Sequence, residues 1–181
     1  MSRPALLLMD FQNAHTSLVD PACLGKAAEA LRVARERGGL VLHVALRLLP
    51  GHVDAHPGNR TFGALPHDRF VPGDPGAEIH PDLAPAPGEV VLHKNRVSAF
   101  AGTNLDQILR AQHVTDLALA GISTGGIVLS TALQAIDLDY RFTALSDACA
   151  DPDPELHELL TRRLLAKRGD VATVGEWAAT L

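Results

Sequence analysis

The chain has 181 residues, 46% of them hydrophobic and 20% charged, with a formal net charge of −5. That length supports one domain with a sizeable core. The acidic balance and scattered Lys and Arg exclude a general nucleic-acid binder, which needs a basic face.

The first apolar run, Ala5 to Met9, ends in Asp10. It is too short for a signal-peptide core or a membrane span, and no later run approaches a membrane-spanning length, so the chain reads as a cytoplasmic protein with no membrane partner. A helical pattern follows from Leu24 to Arg37, closed by Gly38-Gly39 as a C-terminal cap. A second apolar run is Leu40 to Leu46. From Leu48 to Gly88 the sequence is rich in Pro, Gly, His and Asp and has little periodicity. A loop of that length is unusual inside a compact domain and serves as a pocket wall, a lid or a subunit contact.

The third run, Val90 to Leu92, leads to Lys94. Thr103 then caps a helix whose apolar face is Leu105, Ile108 and Leu109. A fourth run, Leu117 to Ala120, ends at Gly121, and helical sequence resumes from Gly126 to Leu138. Phe142 to Leu145 reads as a fifth strand, Pro154 to Lys167 as a helix and Val171 to Val174 as a sixth strand. Alternating strands and helices, with strands apolar throughout, predict an α/β domain over residues 1–181: a mostly parallel sheet covered on both faces.

In such sheets ligands bind beyond the carboxyl ends of the strands. The candidates are therefore Asp10 to Asn13, including Gln12, then Arg47, Lys94 to Arg96, Gly121 to Gly126, and Asp147. A carboxylate at the edge of an apolar core loses solvation, which suits Asp10 to proton transfer. Lys94 brought beside it would hold it ionised and would pair with an anionic substrate. The segment Gly121-Ile122-Ser123-Thr124-Gly125-Gly126 is a strand-to-helix turn whose amides suit an anion or a polarised oxygen. It matches neither GxxxxGK[ST] nor GxGxxG, and Ser123 and Thr124 lack a GxSxG context, so no cofactor is expected. His52, Asp54 and His56, with His67 nearby, are possible metal ligands or ordinary loop residues, and no metal is expected. Cys23 and Cys149 have no CxxC spacing and read as buried free thiols.

Three stretches, ALLLMDFQNA, HKNRVSAFAGTNLDQIL and LALAGISTGGIVLSTALQAIDLDYRFTALSDACAD, together resemble the isochorismatase-like hydrolase superfamily. The Lys94-x-Arg96-x-Ser98-Ala99-Phe100 motif is the most specific part. The resemblance implies a three-layer α/β/α sandwich around a six-stranded parallel sheet, assembled as a homodimer or homotetramer. It assigns acid/base catalysis to Asp10, with Lys94 beside it, and a non-proline cis peptide to Ile122-Ser123. Most members place a cysteine nucleophile six residues after the glycine matched by Gly121; here that position is Ile127.

Isoleucine cannot attack a carbonyl. The expected activity is therefore hydrolysis of a small anionic substrate by acid catalysis without a thiol, at a vinyl ether or a related C–O or C–N bond. Asp10 and Lys94 would be catalytic. Gln12, Arg47, Arg96, Ser123, Thr124, Gly126 and Ile127 would contact substrate, with Arg47 or Arg96 pairing with a carboxylate. The alternatives are a non-catalytic homologue with a binding or regulatory role, and a hydrolase with a substitute nucleophile.

Overall fold

The computed structural model describes residues 4–181. Six strands form one sheet: β1 (Ala5–Met9), β2 (Leu40–Leu46), β3 (Val90–Lys94), β4 (Asp116–Ile122), β5 (Arg141–Ala150) and β6 (Asp170–Ala172). Their order is β3-β2-β1-β4-β5-β6, and every neighbouring pair is parallel. Chain direction across the sheet reverses between β1 and β4, so a crevice opens beyond their carboxyl ends.

Alternation along β1 feeds two cores. Ala5, Leu7 and Met9 pack with Leu42, Val44, Leu117 and Leu119 on one face. Leu6 and Leu8 pack with Val41, Ala118 and Ala120 on the other. Burial on both faces is why these strands read as continuous apolar runs.

The helices are α1 (Asn13–Thr16), α2 (Pro21–Glu36), α3 (Leu105–Ala111), α4 (Leu129–Asp137), α5 (Pro154–Leu159) and α6 (Val174–Ala178). Residues of α2 and α6 cover the Leu6 face through Ala27, Leu31 and Trp177. Residues of α3 and α4 cover the Leu7 face through Leu105, Leu109 and Ala132. These are the expected three layers.

Several element limits differ from expectation, each for a local reason. Helix α2 begins at Pro21 rather than Leu24 because the Asp20 carboxylate accepts the Ala22 N–H at 2.8 Å. Helix α3 takes Asn104 as its N-cap, while the Thr103 hydroxyl accepts from Leu105 N–H and donates to the Ala99 carbonyl. Strand β5 runs on to Ala150, since Ser146 and Asp147 find partners there: Ser146 Oγ donates to Ala172 O, and Asp147 Oδ1 accepts from Val174 N–H. A capping box of Thr173 and Glu176 ends β6 early and starts α6, which the sequence reading lacked. A π-helical turn, Thr124–Val128, precedes α4, and α5 continues through Lys167 in π and 3₁₀ turns.

Residues 48–88 contain short 3₁₀ turns and no named strand. The segment is tied down by its own apolar cluster of Leu48, Phe62 and Phe70 with Leu46. It is also held by Asp74, whose carboxylate accepts from Phe70 and Gly76 N–H at 2.8 Å each. An isolated antiparallel bridge joins Gln12 to Ile79.

Candidate active site

Asp10 leaves β1 in a left-handed conformation, φ 57°, with its N–H donated to Val44 O at 2.8 Å. That turn swings the carboxylate beneath the end of β2. Lys94, the last residue of β3, reaches the same point: Nζ lies 2.9 Å from Asp10 Oδ2, with the two side chains 2% and 8% exposed. Lys94 Nζ also donates to Arg96 O at 3.1 Å. Asp10 Oδ1 is buried and has no hydrogen-bonding partner among the described residues. A buried carboxylate oxygen left this way is rare and needs an explanation.

The pair lines a cavity of about 240 Å³. Ser123, Gly126 and Ile127 come to it from the far end of β4 and the turn beyond, and the Ile122–Ser123 peptide is cis, as expected. The wall opposite is built by Thr61, Phe62, Leu65 and Phe70 of the irregular segment, which thus acts as a pocket wall.

Four predicted contacts lie elsewhere. Gln12 is fully buried and bonded to backbone: Nε2 donates to Leu46 O and Ala77 O, and Oε1 accepts from Leu46 N–H. It fastens the loop after β1 rather than meeting substrate. Arg47 follows pocket-lining Leu46, so strand alternation turns it away; its guanidinium lies 3.3 Å from His93 Nε2, in other cavities. Arg96 donates to the carbonyls of Asn95 and Asp54. Thr124 is completely buried, with Oγ1 2.7 Å from His157 Nδ1. The turn's amides are also engaged: Gly125 N–H donates to Asp151 Oδ2 and Gly126 N–H to Ser123 O.

No native thiol reaches the cavity. Burial pushes Cys23 up to about 12 and raises Cys149 as well, whose Sγ donates to Leu119 O at 3.4 Å. Three of the four possible metal ligands are bonded locally, and His67 lies against the His52 ring at 5.2 Å. His52 Nε2 donates to Arg69 O, His56 Nδ1 accepts from Gly58 N–H, and the Asp54 carboxylate accepts from Leu49 N–H and Asn95 Nδ2.

The sequence reading missed His15. Helix α1 carries it back over the strand end, where Nδ1 sits 3.1 Å from Asp10 O and the ring stacks on Phe70 at 4.9 Å. Donation to a carbonyl places the proton on Nδ1 and leaves Nε2 as an acceptor. Burial lowers the imidazole below its ordinary value of 6.5, against an opposing pull from Asp10. The only available signal was position, a polar residue five places past Asp10.

Comparison with known proteins finds relatives over nearly the whole chain. The family described as Isochorismatase domain matches residues 4–176. A maleamate amidohydrolase of Pseudomonas putida is 35% identical over 178 residues, covering 94% of this chain and 83% of the relative. A ureidoacrylate amidohydrolase of Caulobacter vibrioides is 31% identical, covering 83% and 78%. The crystal structure of a protein from Desulfovibrio vulgaris, described as of the isochorismatase family, superposes with a TM-score of 0.88 at 30% identity, covering 99% of this chain and 98% of that one.

Proposed function

The chain belongs to the isochorismatase family of hydrolases, and from that premise we propose that it hydrolyses a small amide-type C–N bond with water as nucleophile and Asp10 as the proton carrier. The observation that carries this reading is the unpartnered Asp10 Oδ1 in a cavity whose other charged group, Lys94, is already on Oδ2. The amide chemistry is supported by relatives described as amidohydrolases.

In the proposed cycle, Oδ1 takes a proton from a water held beside it, and the water oxygen adds to the carbonyl carbon. The carbonyl oxygen gains charge next to Lys94 Nζ, which stabilises it electrostatically. The C–N bond then breaks as the nitrogen takes the proton back from Asp10. The products are a carboxylic acid and an amine or ammonia. Ammonium contact in the resting site makes Asp10 a base first and an acid second. This reverses the acid-first order expected from the sequence.

Ile127 favours a second reading, a non-catalytic homologue that only binds. Its side chain is 2% exposed and offers no reacting atom at the family's nucleophile position. Asp10→Asn separates the two. Under the hydrolytic reading it lowers turnover of small amides by at least about 10²-fold while binding persists. Full activity in that variant removes the hydrolytic role of Asp10, and failure of the wild type to turn over any amide, urea or vinyl ether leaves the binding reading.

A further inference from the structure

We infer that this pocket selects uncharged substrates, a single carboxamide-like head on a compact apolar body, and rejects anionic ones. The inference rests on the proposed amide chemistry for the identity of the head, but the charge discrimination is a property of the cavity alone.

The walls are apolar where a substrate body would lie: Leu46, Phe62, Leu65, Phe70, Val97 and Ile127. At about 240 Å³ the cavity falls below the ~300–1,000 Å³ typical of pockets for drug-sized ligands, so the body is small. Among the described residues Lys94 is the one Lys or Arg that lines it, and it is neutralised by Asp10 at 2.9 Å. Of the arginines beside lining residues, Arg60 is exposed and does not line the cavity, and three others are occupied outside it. Arg47 is beside His93, Arg96 is on two carbonyls, and Arg69 lies 3.6 Å from Asp74 and over the Phe70 ring. His15, which feels Asp10, Lys94 and Arg69, is held towards its neutral form by burial and adds no lasting positive charge.

A carboxylate entering here would be desolvated with no free cation among the described lining residues to receive it, and it would approach the bare Asp10 Oδ1. An uncharged amide meets the opposite situation. Its N–H satisfies Oδ1, an acceptor with no donor. Its carbonyl can take the remaining N–H of Lys94, whose ammonium has three donors, two of them directed at Asp10 Oδ2 and Arg96 O. The head therefore fits the polar end of the site without adding net charge.

The test is binding of matched amides to the full chain by titration calorimetry: cis-crotonamide against maleamate, and benzamide against phthalamate. In the first pair a carboxylate replaces a methyl group, and in the second it replaces a ring hydrogen. The neutral member should bind at least about tenfold tighter, equivalent to about 1.4 kcal/mol. Leu65→Arg, which adds a guanidinium to the wall, should narrow or reverse that ratio, whereas Leu65→Gln should leave it in place. Equal or tighter binding of the anions to the wild type overturns the inference, as does undetectable binding of both neutral amides at millimolar concentration. Preference for neutral amides without turnover keeps the inference and removes the proposed chemistry. Turnover that favours maleamate removes the inference and keeps the chemistry.

Discussion

The ion pair between Asp10 and Lys94 is the residue-level feature on which the site depends. Breaking a buried pair from one side leaves an uncompensated charge, so Lys94→Met should destabilise the fold by about 3–5 kcal/mol. The double variant Asp10→Asn, Lys94→Met should recover most of that loss, and urea unfolding of the three variants measures it. His15 gives a second handle. Its imidazole is lowered in the folded chain, so the unfolded chain binds more protons just below pH 6.5. Stability from this group is complete above that pH and is lost as pH falls below it. His43, His93 and His157 are lowered by burial too and act with the same sign. Denaturant titrations of wild type and His15→Phe on either side of pH 6.5 isolate the His15 share: the variant should show the weaker decline on the acid side. Asp10 and Lys94 were legible in the sequence because each ends an apolar run. Arg47 was misplaced because one residue of strand parity sends it to the other side. His15 left no periodic signal, since α1 spans only four residues.

Among the elements, the contact between β1 and β4 controls how closely the two halves of the site approach. A Cβ built on Gly121 would lie 2.8 Å from Met9 O and 3.0 Å from Met9 Cβ, so glycine is what lets β4 lie this close to β1. Gly121→Ala should cost about 1–3 kcal/mol in stability. It should also raise KM for any turned-over amide, because Ile122 and Ser123 follow directly and line the cavity. Steady-state kinetics beside a thermal melt separate the two effects. Strand positions were well marked by sequence where burial is two-sided: β1 and β2 have their expected limits. The pocket wall between residues 48 and 88 was not, because Phe62 and Phe70 reach the cavity through contacts with Leu46 and Leu48 rather than through any local repeat.

For the molecule as a whole, the thiols lie in the core and none lines the candidate pocket. Burial holds Cys23 and Cys149 protonated, so iodoacetamide should leave the folded wild type unmodified and label both residues after unfolding. Ile127→Cys should add one label in the folded state, read by intact mass, since that position lines the cavity. The sheet order has a further effect on the site. Lys94 sits on β3, one of the two edge strands, while Asp10 leaves β1 in the interior of the sheet. Edge strands are where fraying begins. If β3 peeled away alone, it would carry off the ammonium and leave a carboxylate stranded in the core, so the pair acts as a latch on the edge. Opening that edge and dismantling the pocket thereby become one cooperative event, and the margin of the sheet is held by the chemistry at its centre.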